Sequence, residues 1–296
     1  MLAPDNQIRF ISGMNKRVLF VYGSLYYYGG GARLSAHALE AVCRKYEVLC
    51  LTPGKPDFSK VDSFFGTCLI EVSMTLRSTS DEGVWGWLLK HFAGRRMKMS
   101  ILERIVGNIH ARSPFDAYVS TVDEIAYPVR GLHYVHYPRL EQFYAPHSFS
   151  TLFTRLGLAR LYKGLRKIVG GESTEIFSRN VTLVNSEFTA DAVRALFETD
   201  LHVVYPPVFA SPSTLAWEQR ADRFLYVGRI SEEKRISSII EILKMVRDRG
   251  HDIKLTIAGT WDSSEPYVSK LKAHIEKNRN WVDVAIGLQQ GEPAPG

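Results

Sequence analysis

The chain has 296 residues, of which 45% are hydrophobic and 23% are charged, and its formal net charge is +6. This length exceeds the needs of one compact core, so the sequence predicts two domains of ordinary globular composition and excludes collagen-like, disulfide-scaffold and largely disordered proteins. The three cysteines, Cys43, Cys50 and Cys68, form no CxxC pair and show no metal-ligand spacing, which favours reduced thiols in a cytoplasmic protein. The positive charge favours an anionic partner.

The first pattern along the chain is strand, helix, strand. The apolar run RVLFVY at residues 17–22 predicts a strand buried on both faces, and EVLCL at 47–51 predicts a second one. Between them, the spacing of apolar residues predicts a helix over 32–46. This order is typical of a βαβ unit that opens a parallel sheet.

Three glycines, Gly29, Gly30 and Gly31, precede this helix. The loop after the first strand of an open α/β sheet is a common ligand site, because backbone amides and a helix N-terminus meet there. Leu34 stands where the dinucleotide fingerprint needs a third small residue, and no acidic residue ends the second strand, so a dehydrogenase is disfavoured. A ligand-binding loop and a plain flexible turn both stay open.

The middle of the chain has short apolar runs and two basic stretches. The runs at 115–120, 132–136, 181–184 and 201–205 predict four strands, and 189–197 predicts a helix. Residues 90–112 hold six Lys or Arg against one Glu, and residues 155–168 hold five, both interleaved with apolar residues. Such a helix is typical of membrane-surface binding, and a solvated helix with an ordinary core face is the alternative. Regular aromatic interleaving is missing, which disfavours nucleic acid as a partner.

A second domain is predicted after residues 208–222, where periodicity is lost. Strands at 224–227, 254–258 and 282–286 alternate with helices at 237–249 and 267–277, which indicates another parallel sheet. The final QQGEPAPG is rich in proline and glycine and is expected to be disordered.

The turn VGRISEEKR leaves the first strand of this second domain. Arg229 offers a planar guanidinium and Lys234 a mobile ammonium, and together they suit a diphosphate. The alternative is that Glu232 and Glu233 pair with these cations at the surface, where ion pairs contribute little.

Taken in order, several motifs resemble those of retaining GT-B glycosyltransferases of family 4. The string VGRISEEKR followed by TIAGTW resembles the pattern GRL-x-x-EKG … I-x-G-x-G, and YGSLYYYGGGARLSAHALEA resembles the family's Gly-Gly-x-x-R helix opening. TLVNSEFTADAVRALF resembles its NS-x-x-T strand and helix, and HYVHYP with VVYPPV is similar to mannosyltransferases that extend lipid-linked oligosaccharides from GDP-mannose.

The resemblance implies an α/β, GT-B-like fold with two Rossmann-type parallel-sheet domains. The first, residues 15–208, would hold the acceptor, and the second, residues 223–288, would hold the donor sugar nucleotide. The family's second domain continues into an acidic E-x7-E helix that these residues lack. We therefore expect the second domain to be incomplete, the chain to be truncated at its C-terminus, and the sheet to have an exposed apolar edge.

The function implied by the resemblance is transfer of a hexose, mannose, from a nucleoside-diphosphate sugar to a glycan or lipid-linked acceptor with retention. No cofactor or metal is expected, and the location would be cytoplasmic, peripheral at an anionic cytosolic membrane face. The implied catalytic residues are His136, Arg229 and Lys234. The implied donor-binding residues are Gly30, Gly31, Ser186, Gly228, Arg229, Lys234 and Gly259. A strand-capping role for His136, a helix N-cap role for Ser186, and a truncated, non-catalytic nucleotide or sugar-phosphate binding module stay open as alternatives.

Overall fold

The computed structural model describes residues 16–22, 29–91, 95–121, 124–138, 164–165, 168–170, 178–208, 215–261 and 265–286. The chain divides into two compact units, Met1–Val208 and Phe209–Gly296, called unit 1 and unit 2 below. The predicted disorder of the tail and most of the second basic stretch lie outside the described residues.

Unit 1 is built on a parallel sheet whose described strands follow the order β3-β2-β1-β4-β5-β6-β7. The strands are β1 (Arg17–Val21), β2 (Glu47–Thr52), β3 (Thr75–Ser78), β4 (Ala117–Ser120), β5 (Leu132–Val135), β6 (Val181–Val184) and β7 (Asp200–Val203). The helices are α1 (Gly30–Cys43), α2 (Phe58–Phe65), α3 (Gly83–His91), α4 (Arg95–Arg112) and α5 (Glu187–Arg194).

β1 is buried on both faces, as its continuous apolar run predicts. Val18 and Phe20 pack with residues of α1 and α2 in one core cluster. Leu19 and Val21 pack in a second cluster with residues of α4. Because successive side chains of a strand point to opposite faces, this alternation places helices on both sides of the sheet.

The basic stretch at 90–112 contains the end of α3 and all of α4. The apolar side chains of α4, including Ile101, Ile105 and Ile109, are buried in the core of unit 1. The expectation that this stretch offers its apolar side to a membrane is therefore wrong for α4, because β1 and β4 cover that side. The structure shows the alternative that the sequence left open, in which α4 has an ordinary apolar face that packs in the core.

Unit 2 has a second parallel sheet with the order β10-β9-β8 among its described strands. Its elements are β8 (Arg223–Val227), α6 (Ile236–Arg247), β9 (Lys254–Gly259), α7 (Pro266–Lys277) and β10 (Val282–Ile286), which confirms the predicted alternation. Ile240, Ile257 and Leu271 form the centre of its core.

β8 lies at an edge of this sheet in the part of the chain that the structure describes. Phe224, Leu225 and Val227 are 53%, 59% and 72% exposed, so the expected exposed apolar edge is present.

None of the described helices combines the length and the hydropathy that crossing a lipid bilayer requires.

Candidate functional site

The glycine loop and a histidine meet at the carboxyl edge of the sheet of unit 1. Gly30 and Gly31 are the first residues of α1, and His136 directly follows β5. A methyl group added at Gly31 would lie 3.4 Å from both Cε1 and Nε2 of the His136 imidazole. The half-buried imidazole therefore lies close to the start of α1.

A buried hydroxyl pair fastens α1 to the end of β4. Ser35 Oγ lies 2.7 Å from Thr121 Oγ1 and donates to the carbonyl of Gly31 at 2.9 Å. Both side chains are nearly inaccessible to water, so the contact is sheltered from solvent competition. Neither residue stands out in the sequence, because a Ser within a helix and a Thr after a strand are common.

Ser186 is the N-cap of α5. Its Oγ accepts a hydrogen bond from the backbone amide of Thr189 at 3.3 Å, so the capping alternative describes this residue in the structure. The preceding Asn185 donates from Nδ2 to the carbonyl of His136 at 2.9 Å. Asn185, the residue before this N-cap, therefore connects the start of α5 to the main chain at the end of β5.

In unit 2, Gly228 and Gly259 meet where β8 and β9 end. A methyl group at Gly259 would lie 1.9 Å from the carbonyl oxygen of Gly228, so this contact excludes every other residue type at position 259 without a backbone shift. Tyr226 donates from its hydroxyl to the carbonyl of Arg229 at 2.8 Å and fastens the turn that follows. These glycines shape the turn VGRISEEKR at the carboxyl edge of the sheet.

The two cations of this turn differ in their surroundings. Nη2 of Arg229 lies 2.5 Å from Oε1 of Glu233, the surface pairing that the sequence left open. The hydrogen bond and the charge of Arg229 lower the pKa of Glu233. Lys234 is exposed and forms no ion pair with any residue that the structure describes. Since both partners of the Arg229–Glu233 pair are more than half exposed, the pair contributes less than about 1 kcal/mol and can be exchanged for a ligand.

An open depression of about 510 Å³ lies beside this turn. Two features mark its lining: Ser237 donates from its amide to the hydroxyl of Tyr267 at 3.2 Å, and Arg235 adopts φ 50° and ψ 40°. The lining residues are Glu232, Glu233, Arg235, Ser237, Ser238 and Tyr267. Neither Arg229 nor Lys234 lines it. The sequence did not predict that Tyr267 and Arg235 line a depression, because nothing in it distinguishes them from ordinary surface residues.

A metal site in a protein is built from several His, Cys, Asp or Glu side chains that lie close together. Within the described ranges, no three of them form such a group.

Two units, each built on a parallel sheet with helices between its strands, define a GT-B type of α/β fold. Residues 211–293, which include all of β8 to β10, match the family described as Glycosyl transferases group 1.

Solved structures show a similar fold. A glycosyltransferase from Rickettsia africae ESF-5 is similar at a TM-score of 0.50 and 12% identity, covering 92% of this chain and 68% of that chain. A variant of TarM from S. aureus, in complex with fondaparinux, alpha-GlcNAc-glycerol and UDP, is similar at 0.53 and 10% identity, covering 92% and 77%. No curated protein sequence matches the chain. At these identities the similarity shows the fold.

Proposed function

We propose that this chain is a retaining glycosyltransferase that moves a hexose, mannose, from a nucleoside-diphosphate sugar to a glycan or lipid-linked acceptor. The observation that carries the proposal is the glycosyl transferases group 1 match at 211–293, which falls on a parallel unit with a cationic turn at the carboxyl edge of its sheet. The solved TarM complex holds UDP, which supports a sugar nucleotide as the donor class.

The donor diphosphate would be held by the turn after β8. Lys234 supplies an unpaired ammonium, and Arg229 supplies a guanidinium once the diphosphate displaces Glu233. Two cations aimed at the leaving group stabilise the charge that grows on it as the glycosyl bond breaks. Gly228 and Gly259 let the ends of β8 and β9 approach closely, which sets the backbone path of this turn.

The reaction breaks the bond between the anomeric carbon and the phosphate oxygen, and both electrons stay on that oxygen. The acceptor hydroxyl attacks the same face of the sugar and passes its proton to the departing phosphate, so configuration is retained. His136, held beside Gly31 in unit 1, is proposed to contact the transferring sugar.

Donor turnover tests this proposal. The protein is incubated with GDP-mannose and with UDP-glucose, and released nucleotide is measured with and without a mannoside acceptor. Lys234→Ala is expected to lower kcat about 100-fold, since it removes one charge from the leaving-group contact. Lys244→Ala, which removes an exposed lysine of α6, is the matched control and should leave kcat unchanged. Equal turnover by Lys234→Ala and the parent would reject the diphosphate contact. Nucleotide binding without any turnover would favour the non-catalytic binding module.

A peripheral membrane contact is the second part of the proposal. α3 packs Trp85 and Leu88 on the core, while Val84 and Trp87 on its outer side are 64% and 59% exposed next to Lys90. Exposed tryptophan beside a cation suits the interface of an anionic bilayer. This outer side of α3 replaces α4 as the surface proposed to meet lipid.

Vesicle sedimentation tests the membrane contact. Trp87→Ser is expected to reduce binding to vesicles that contain phosphatidylserine, because it removes the apolar anchor. Trp217→Ser changes a residue of unit 2 that is 74% exposed and serves as the control. The proposed membrane contact would be contradicted if vesicle binding depended neither on the charge of the lipid nor on the Trp87→Ser substitution.

A further inference from the structure

The side chain of Asn185 is held in one orientation by two hydroxyl groups. Its Oδ1 accepts from Thr189 Oγ1 at 2.6 Å and from Ser186 Oγ at 3.0 Å. A hydroxyl donates and the amide oxygen accepts, so this pair assigns the oxygen and directs Nδ2 the other way. Thr189 is buried, which shelters its hydrogen bond from water.

The outward Nδ2 of Asn185 donates to the backbone carbonyl of His136 at 2.9 Å. The regular pairing of β5 with β6 ends at Val135 and Val184, so this carbonyl is the first one beyond the strand ladder. Asn185 follows β6, so a side chain from the end of the neighbouring strand holds this carbonyl, and Thr189 Oγ1 lies 3.4 Å from the same oxygen. The main chain of His136 is fixed from the side of β6 and α5, while its ring extends toward Gly31 at the start of α1.

We infer that Asn185 is a positioning residue that sets where the His136 imidazole lies, with Thr189 fixing the orientation of Asn185. These contacts hold the backbone from which the ring extends, and the use of the ring in catalysis rests on the proposed function. Asn185 and Thr189 belong to the stretch NSEFT, so the same five residues cap α5 and hold the histidine.

The test uses the full chain with isotope-labelled histidine, and the His136 ring signal is assigned with His136→Gln. Asn185→Ala is expected to shift this signal and to lower kcat for GDP-mannose about tenfold, with the donor KM within about twofold, because a displaced group reacts poorly while donor binding stays. Arg194→Ala changes an exposed residue of the same helix whose guanidinium pairs with Asp191, and it should leave the ring signal in place.

An unchanged ring signal in folded Asn185→Ala would overturn the inference. If Asn185→Ala does not fold, Thr189→Val, which keeps the shape but loses the hydroxyl, should shift the signal, and Thr189→Ser should restore it. An unshifted signal in Thr189→Val overturns the inference equally. A shifted signal in a chain that turns over neither GDP-mannose nor UDP-glucose would reject the proposed function and leave the positioning role intact.

Discussion

Arg235 has a backbone conformation that its side chain does not favour. It adopts φ 50° between the short turn and α6, and it is the only non-glycine residue with positive φ in the part of the chain that the structure describes. The left-handed region places Cβ close to the following carbonyl, which costs about 1–2 kcal/mol for an ordinary residue. Arg235 also lines the depression beside this turn.

Arg235→Gly is therefore expected to raise the free energy of unfolding of unit 2 by about 1 kcal/mol, because glycine adopts this conformation without strain. Urea denaturation measures the change. Arg235→Ala removes the same charge but keeps Cβ, so it should bring no such gain. Equal gains from both variants would show that charge, and not backbone strain, decides stability here.

Gly259 is required for the close contact of β8 and β9. A methyl group there would lie 1.9 Å from the carbonyl oxygen of Gly228, so Gly259→Ala is expected to destabilise unit 2 by about 3 kcal/mol. Gly107→Ala offers the contrast, since nothing lies within 4 Å of a methyl group on this residue of α4. That change should stabilise unit 1 by about 1 kcal/mol, as alanine does within a helix. Thermal unfolding of both variants would compare them.

At the scale of elements, α4 shows how a basic sequence pattern can belong to a core helix. Its one lysine and four arginines are typical of a membrane-surface helix, but Ile101, Ile105 and Ile109 pack in the cluster that also holds Leu19 and Val21 of β1. Burial of these side chains stabilises unit 1 by removing apolar area from water.

Ile105→Ala is expected to lower the free energy of unfolding by about 3 kcal/mol, because the side chain is fully buried and its loss leaves a cavity. The measurement is chemical denaturation, together with vesicle binding. If Ile105→Ala kept the parental free energy of unfolding but bound vesicles more weakly, the result would instead show that α4 contacts the membrane.

At the scale of the whole molecule, buried phenols make the stability depend on alkaline pH. Burial raises the pKa of Tyr134 to about 12 and raises the pKa of Tyr22 and of Tyr127 further. All three lie in unit 1. The folded state keeps these groups neutral, while the unfolded chain ionises its tyrosines near pH 10, so their contribution is full below pH 10 and is lost as the pH rises above it.

Tyr22→Phe tests this dependence. Between pH 10 and 11 each such phenol costs about 1 kcal/mol, so the variant should lose less stability than the parent over that interval. At pH 7 it should be at least as stable, since the Tyr22 hydroxyl is buried and has no hydrogen-bond partner among the described residues. Urea unfolding at pH 7, 10 and 11 measures both effects, and Tyr205→Phe, at an exposed tyrosine, should leave the pH dependence as it is in the parent.

Local patterns in the sequence determined the strands and helices that carry the candidate site. Continuous apolar runs indicated β1 and β8, and β1 is buried on both faces, where polar residues are excluded. The strand β3 and the helix α2 were not predicted, since each is short and mixed in character. The turn with Arg229 and Lys234 was visible because its residue types and spacing are local to one loop.

Only the tertiary structure decided which of these residues meet. The contact of His136 with Gly31, and the hydrogen bond from Asn185 to the His136 carbonyl, depend on the strand order β1-β4-β5-β6, which no local pattern encodes. The sequence left open whether Arg229 pairs with a neighbouring acid. Its pairing with Glu233 depends on side-chain geometry within the turn. Secondary structure follows from neighbours in sequence, whereas a site is made by side chains that distant segments bring within a few ångströms, and that proximity arises only when the sheet has formed.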